Sequence, residues 1–318
     1  MDNSTFSNRS SLGMCLWTRN VHLQITESFK STIIATSIIN SITALVAAVG
    51  NTLVISLFCK YPTLRKPSNI LIISLCFSDA LSGYIIQPLL VFRRISNLWN
   101  KQGCVARMMY IYGSFYCLMV SLGNVALISM DRCLAIHKPF LYQAKASKHK
   151  YITIVVSLWV LFALCIGLPH VANHSTKRVI LIMSASTTAI SLSAIAMSYS
   201  TIYITVQKQR EQMKLQTALV QRTNVTFMIV IILIICYALN MILMFFRGIA
   251  GDNYMTLLTL DTWADTLVLV NSSINPFLYC LKMSDFKEAL KKLLGYQRQK
   301  HSKIFTTSSS NSLDNTTL

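Results

Sequence analysis

The sequence predicts an all-α membrane protein, a seven-transmembrane helix bundle followed by a short amphipathic C-terminal helix. The 318 residues are 53% hydrophobic and only 13% charged, whereas soluble domains contain about 25% charged residues. The mean hydropathy is +0.50. A bilayer core requires about 20 apolar residues per helix. Seven runs of that length occur in this chain, so most of it is expected to lie in lipid.

Short polar joints separate the seven apolar runs. The joints contain Pro, Gly, Asn or charged residues, which are typical of helix ends and turns. None is long enough to form a soluble domain, so a single membrane domain, 32–281, is predicted. The expected spans are, in chain order, 32–58, 69–92, 104–136, 151–171, 179–206, 223–249 and 255–281.

The positions of Lys and Arg predict the orientation. Eighteen of the 29 basic residues follow odd-numbered spans, and ten precede the first span or lie by even-numbered joints. Cytoplasmic loops carry the excess of basic residues. The N-terminal segment, 1–31, is therefore expected outside the cell and the C-terminus in the cytoplasm, as in a multi-pass plasma-membrane protein. Sequons at Asn3, Asn8 and Asn173 fall on the expected outer side and are candidate glycosylation sites.

The net charge of +18 is explained by these membrane-flanking loops, so nucleic acid is not an expected partner. After the seventh span, residues 284–295 place Phe286, Leu290, Leu293 and Leu294 on one helical face and lysines on the other. This pattern predicts a helix on the membrane surface, with lipids as partners. The remainder, 296–318, is polar and rich in Ser and Thr, which is typical of a disordered cytoplasmic tail.

Few ionisable residues lie inside the predicted spans. Asp79 lies within the second span, Asp131 and Arg132 end the third, and Asp265 lies in the outer part of the seventh. A charge inside a bilayer is costly unless it is paired or hydrated, so each is a candidate functional residue. Hydrogen bonding between helices, with no other role, is the alternative for Asp79.

Short motifs occur in order along the chain, close to one per span. They are Gly50-Asn51, Leu75 with Asp79, Asp131-Arg132-Cys133, Trp159, the run from Asn271 to Tyr279, and Asp285-Phe286. This ordered set resembles the rhodopsin-like (class A) G-protein-coupled receptors and covers about 32–294. The resemblance implies a receptor that transmits binding of an extracellular ligand to a cytoplasmic heterotrimeric G protein. It also implies a receptor kinase and arrestin as partners of the tail.

The resemblance implies an activation switch at the cytoplasmic end. In such receptors the arginine at the position of Arg132 is held by the neighbouring acid at rest and released towards the G protein on activation. A snorkelling arginine at the interface is the alternative. Pro276 lacks a backbone donor, and we expect Asn275 or water to satisfy the carbonyl left without a partner. The expected switch residues are Asp131, Arg132, Tyr199, Asn275, Pro276 and Tyr279.

A sodium pocket is a second implication of the resemblance. A carboxylate surrounded by neutral oxygens suits a small hard cation, and a buried neutral acid among water molecules is the alternative. Beyond sodium, no metal or other cofactor is expected. The pocket residues are Asp79, Ser121, Asn271, Ser272 and Asn275.

Two regions depart from the family pattern. Arg107 replaces the cysteine that usually ties the third helix to the second outer loop, and that short loop contains no cysteine. Cys104 and Cys15 are the candidate disulfide partners, since an oxidising exterior permits a bond. The sixth span has Tyr237 and Leu239 where the family commonly has Trp and Pro. Activation through the usual sixth-helix movement would then need another hinge.

The sequence does not identify the ligand, and peptide, lipid and small-molecule ligands stay open. Leu269 replaces the lysine that binds retinal, which excludes an opsin. Ser114 replaces the aspartate of amine receptors, which disfavours an ordinary amine site, although Asp261 and Asp265 could pair with a cation. The expected pocket comprises Gln87, Tyr110, Ser114, Phe115, Tyr237, Asn240 and Asp265.

Three basic residues, Arg93, Arg94 and Arg107, lie near the outer ends of the second and third spans. They suit an acidic ligand or lipid headgroup, or else they form a solvated or lipid-facing rim. A constitutively active or decoy receptor is the alternative function. A transporter or channel is a remoter one, because no internal repeat is visible. No nucleophile, base and orienting group come together, so an enzyme is not expected.

Overall fold

The computed structural model describes residues 26–99, 104–171, 176–213, 235, 237–239, 242–243 and 254–295. The described elements are helical throughout, as the sequence predicts. The α-helices are α1 (Glu27–Lys60), α2 (Asn69–Leu81), α3 (Gln87–Leu98), α4 (Cys104–His137), α5 (Pro139–Lys145), α6 (Lys148–Val171), α7 (Thr176–Met213), α8 (Tyr254–Lys282) and α9 (Ser284–Leu293).

Within the described residues, four helical segments are long and apolar enough to cross a membrane: Glu27–Lys60, Asn69–Leu98, Val105–His137 and Lys148–Gly167. They match the first four predicted spans. The helices α7 and α8 cover the fifth and seventh spans. Most of the predicted sixth span lies outside the described residues, although residues 235, 237–239 and 242–243 are helical.

The first helix begins earlier than the span predicted from hydropathy. The hydroxyl of Thr26 accepts a hydrogen bond from the Phe29 amide at 3.3 Å, and Glu27 lies in the first turn. A side-chain cap and an acidic residue both stabilise a helix N-terminus. The helix therefore enters the predicted N-terminal segment, 1–31, because capping rather than hydropathy determines where it starts.

A π-helical turn, Ser82–Ile86, joins α2 and α3 and makes them one transmembrane segment. Pro88 lies in the first turn of α3. A proline supplies no backbone N–H, so the helical hydrogen-bond pattern is disturbed in the turn that precedes Pro88. At Gly83 a Cβ atom would lie 2.6 Å from the Ala48 nitrogen and 2.8 Å from the Ala44 oxygen. Only glycine allows the turn to approach α1 this closely.

The short helix α5 is a feature that hydropathy did not predict, because it lies in the polar joint after the third span. Pro139 occupies its first turn, where the missing N–H costs no helical hydrogen bond. The Ala146 amide closes its end on the Tyr142 carbonyl at 3.0 Å. The consequence is that Tyr142 has a fixed position beside α4.

The helix α9 follows α8 as predicted but ends at Leu293, shortly before Gly295 with its left-handed φ of 73°. Phe286 is fully buried against Leu57, Leu64 and Ile72 rather than in lipid, which corrects its predicted place on the membrane-facing stripe. Leu294 remains 73% exposed. The helix α9 therefore docks on the bundle through Phe286, Ala289 and Leu290, and its exposed large apolar side chains are confined to its end.

Candidate functional site

The carboxylate of Asp79 lies at the centre of the bundle and is fully buried. Ser121 of α4 donates to its Oδ1 at 3.1 Å, and Asn275 of α8 donates to its Oδ2 at 2.7 Å. The Ser78 and Ser121 hydroxyls are 2.8 Å apart. The structure thus joins three helices at one acid.

Two other residues of the predicted cation pocket occupy different positions. Ser272 is buried on α8 and its hydroxyl interacts with the Asp79 carboxylate. Asn271, one residue earlier, is half-buried, and no hydrogen bond joins it to Asp79 among the described residues. The structure therefore places four of the five predicted residues in contact and Asn271 at the edge.

The proline of α8 is compensated by a neighbouring helix. Pro276 cannot donate to the Ser272 carbonyl, which is four residues earlier. The Asn51 amide donates to that carbonyl at 3.0 Å and to the Ala47 carbonyl at 2.9 Å. Our expectation that Asn275 would satisfy it was wrong, because the Asn275 amide donates to Asp79 instead. At Gly50 a Cβ atom would lie 2.9 Å from the Pro276 side chain, so glycine permits this approach.

The acid of the predicted switch is held by tyrosines. Tyr142 of α5 donates to the Asp131 carboxylate at 3.1 and 3.3 Å, and Tyr151 of α6 donates to its Oδ1. The Nε of Arg132 lies 4.0 Å from Oδ2, and Arg132 is 38% exposed. The neighbouring ion pair is therefore long, while the two phenols are the close partners. Sequence reasoning missed both, because they lie 11 and 20 residues away in a polar joint and at a helix start.

The two switch tyrosines belong to separate apolar clusters. Tyr199 of α7 packs against Leu122, Ala126 and Ile195. Tyr279 of α8 packs in the cluster around Phe286, with the two ring centroids 6.5 Å apart. Both tyrosines are nevertheless close enough to Arg132 to interact with its charge, and they also interact electrostatically with each other.

The residues of the predicted ligand pocket lie in several separate environments. Ser114 and Tyr237 line a cavity of about 10 Å³ above Asp79, which is space for one water molecule. Gln87 is fully buried and donates to the Leu269 carbonyl at 3.0 Å, so it joins α3 to α8. Tyr110 is buried beneath the Arg93 guanidinium, 4.4 Å from its ring centroid. Phe115 and Asp265 are half-buried on α4 and α8.

Arg94 lies in neither of the two environments considered for it. It is 4% exposed, its Nη1 donates to the Thr266 hydroxyl at 3.1 Å, and its Nη2 donates to the Thr262 carbonyl at 2.9 Å. Both partners belong to α8. A solvated rim is therefore wrong for this arginine, and its donors join α3 to α8.

Several predicted residues lie outside the described part of the chain: Asn3, Asn8, Asn173, Cys15 and Asn240. The backbone of Cys104 begins α4, but its side chain is also outside that part. The candidate disulfide and the glycosylation sites stay predictions.

Comparison with known proteins supports the fold. The model of the family described as 7 transmembrane receptor (rhodopsin family) matches residues 50–279, well over half of the chain. The chain therefore belongs to the rhodopsin family of seven-transmembrane receptors. The membership confirms the seven-helix architecture, the multi-pass membrane location and the prediction that the chain is a receptor rather than an enzyme.

The similar curated proteins are receptors from several animals. The chain is 30% identical over 125 residues to 5-hydroxytryptamine receptor 6 of Mus musculus, covering 38% of this chain and 28% of the relative. It is 35% identical over 124 residues to dopamine receptor 4 of Caenorhabditis elegans, covering 38% and 23%. Trace amine-associated receptor 5 of Mus musculus shares 29% over 115 residues, covering 36% and 34%. The matched segments thus span about a quarter to a third of these relatives.

Proposed function

We propose that the chain is a receptor in the plasma membrane that activates a cytoplasmic heterotrimeric G protein when an extracellular ligand binds. The observation that carries the proposal is the Asp131–Arg132 pair, with its acid held by two phenolic hydroxyls. A tyrosine hydroxyl is neutral, so it can break its hydrogen bond to a carboxylate without creating a buried charge on the tyrosine. Such an arrangement suits a two-state switch in which the acid and Arg132 exchange partners.

The proposed orientation places the N-terminus outside and α9 at the cytoplasmic surface. The excess of basic residues at the joints on the α9 side supports it. Lys66 in the first joint pairs with Asp285 of α9, so these two segments lie at the same end of the bundle. A receptor kinase and arrestin are proposed partners of the tail beyond α9.

The ligand site is proposed only by its place, beside Ser114 and Tyr237, and its chemistry stays open. The names of the similar proteins indicate amine ligands for those receptors. In this chain, Ser114 donates to its own helix at the Ile111 carbonyl, 2.9 Å away, and carries no charge for an ammonium group. The Asp265 carboxylate interacts electrostatically with the buried Arg94 guanidinium. We therefore do not extend an amine ligand to this chain.

The test is ligand-independent second-messenger output, measured as cyclic AMP and calcium, at matched surface levels. We expect wild type to signal and Arg132→Ala to lose the signal. Arg65→Ala is the control, because it removes an exposed arginine from the same end of the bundle. If wild type is silent, guanine-nucleotide exchange on a panel of purified G proteins replaces the cellular assay. No exchange by wild type on any of them, in a correctly inserted receptor, contradicts coupling.

We also propose that Asp79 holds a sodium ion in the resting receptor. The support is a fully buried carboxylate beside the Ser121 and Ser272 hydroxyls and the Asn275 amide. An ion at ten times its dissociation constant stabilises the folded state by about 1.4 kcal/mol. We expect sodium, but not choline, to raise the melting temperature of wild type and not of Asp79→Asn. Equal stabilisation of both proteins by sodium rejects the site.

A further inference from the structure

A second cleft lies at the end of the bundle where Arg132 is found. It encloses about 180 Å³ between α4, α5 and α6, and we call it the α4–α6 cleft. Its wall is mostly apolar, since Leu134, Leu141 and Ile154 line it and are 52%, 46% and 42% exposed. These apolar side chains are therefore not covered by the described part of the bundle. The cleft shares no lining residue with the small cavity beside Ser114 and Tyr237.

The rim of this cleft is basic. Lys138, at the start of α5, and Lys150, in the first turn of α6, both line it and are exposed. Among the described residues, no acidic side chain other than Asp131 lines it, and Asp131 is 6% exposed and accepts hydrogen bonds from the Tyr142 and Tyr151 hydroxyls. Two exposed lysine residues thus lie at the edge of an apolar groove.

We propose that the α4–α6 cleft is a binding site for an acidic phospholipid of the adjacent leaflet. The headgroup phosphate and carboxylate would pair with Lys138 and Lys150, and one acyl chain would lie along Leu134 and Ile154. Charge complementarity selects the headgroup, because each lysine near an anionic surface contributes favourably to binding. Snorkelling keeps the ammonium groups at headgroup level while their stems cover the apolar wall.

The same cleft contacts the switch. Tyr142 and Tyr151 line the cleft and donate to Asp131, so a bound lipid packs against the side chains that hold this acid. Lipid binding therefore stabilises the state in which both tyrosines remain on Asp131. This regulatory consequence rests on the proposed function, whereas the binding site itself does not.

Lipid binding can be measured on the full-length receptor without any signalling assay. The purified receptor is titrated in detergent with phosphatidylserine or phosphatidylcholine, and bound lipids are resolved by native mass spectrometry. We expect tighter binding of phosphatidylserine, and about fivefold weaker binding in Lys150→Ala, as expected for one lysine at an anionic headgroup. Lys138→Ala should behave like Lys150→Ala. Lys148→Ala is the matched control, since Lys148 is exposed two residues earlier on α6 but does not line the cleft.

Three results would overturn the site. They are equal binding of the two lipids, equal loss in Lys148→Ala and Lys150→Ala, and full displacement of the lipid by soluble glycerophosphoserine. The last result would identify a phosphate site without a chain-binding groove. Loss of phosphatidylserine selectivity only in the two cleft variants supports the proposal. A receptor that binds the lipid but never activates a G protein would refute the proposed function and leave this site intact.

Discussion

The junction of α1 with α8 and the α4–α6 cleft differ in how closely their helices approach. At the first, Gly50 lets Pro276 approach, and Asn51 bonds the carbonyl that this proline leaves open. Asn40 also donates across it to the Thr266 hydroxyl at 3.1 Å. At the second, a cavity separates the helices and exposed side chains line it.

The difference concerns which buried polar groups can change partners. At the α1–α8 junction, the Asn51 amide lies between two closely packed backbones and cannot turn to another acceptor. Removing this amide leaves a buried carbonyl without a hydrogen-bond donor. The tyrosines on Asp131 extend from a short helix and a helix start beside open space. We infer that the junction maintains the fold and that the cleft region carries the switch. The Asn51 and Tyr151 variants test this division directly, and the Gly83 and Lys66 variants compare it with a tight packing contact and an exposed ion pair.

The largest stability effect is expected at Gly83, where the π-helical turn touches α1. In Gly83→Ala the added Cβ meets backbone atoms at 2.6 and 2.8 Å, which cannot yield as a side chain would. The cost of overpacking exceeds the gain in helix propensity, so we expect the free energy of unfolding to fall by about 2 kcal/mol. Thermal unfolding is monitored through the labelling of the Cys76 and Cys117 thiols, which are buried in the folded receptor.

The control for Gly83 is Gly167 of α6, where a Cβ atom meets nothing within 4 Å. Gly167→Ala should raise stability by about 1 kcal/mol, since alanine is the better helix former. The two variants should therefore shift the melting temperature in opposite directions. A Gly83→Ala receptor as stable as Gly167→Ala would show that α1 is not tightly packed at this turn.

The next effect is expected at Asn51. Asn51→Leu removes the donor to the Ser272 carbonyl, and leaving a buried carbonyl unsatisfied costs about 2 kcal/mol. Asn124→Leu is the matched control, because Asn124 is equally buried but, within the described part of the chain, donates only to the Val120 carbonyl of its own helix. We expect a lower melting temperature in the first variant alone. An equal decrease in both would assign the effect to the loss of any buried asparagine.

The third effect is on signalling rather than stability. Tyr151→Phe removes one donor from Asp131, which should destabilise the resting state by about 1 kcal/mol and raise ligand-independent output about fivefold. Tyr116→Phe is the control, since its hydroxyl also joins α4 to α6, by donating to the Trp159 carbonyl at 3.2 Å. Equal output from both variants would argue against the Asp131 contact as the restraint.

The smallest effect is expected at the exposed ion pair between Lys66 and Asp285, whose side chains are 58% and 38% exposed. Lys66→Ala should change stability by less than about 1 kcal/mol, because water screens such pairs. Lys292→Ala, which removes the exposed pair with Glu288 within α9, is the reference. A much larger loss in Lys66→Ala would mean that this pair, rather than buried Phe286, holds α9 on the bundle.

Hydropathy alone predicted the membrane class and four spans that the described helices confirm, because lipid requires long apolar helices whatever their neighbours. It did not predict the start of α1 at Glu27, which depends on the cap at Thr26. It did not predict α5 either, since a polar seven-residue helix has no hydropathic signal. The order of the motifs along the chain was sufficient to identify the family.

The candidate site was predicted less evenly. Asp79, Ser121 and Asn275 were selected from the family pattern, and the structure brings them together because α2, α4 and α8 meet at the centre. The donor to the Ser272 carbonyl was assigned wrongly, although Pro276 itself showed that a donor was required. Nothing in sequence spacing indicated that Asn51, 221 residues away from Ser272, would supply it.

By itself the sequence determined that this chain lies in a membrane, that it has seven spans and that Asp79, Asp131 and Arg132 are costly charges requiring a role. These conclusions follow from the chain's own solvation energy. Only the tertiary structure decided that Arg94 is buried against α8, that Phe286 leaves the lipid and that Tyr142 and Tyr151 hold Asp131. Those facts depend on which helices touch, and contacts between distant segments leave no local periodic signal.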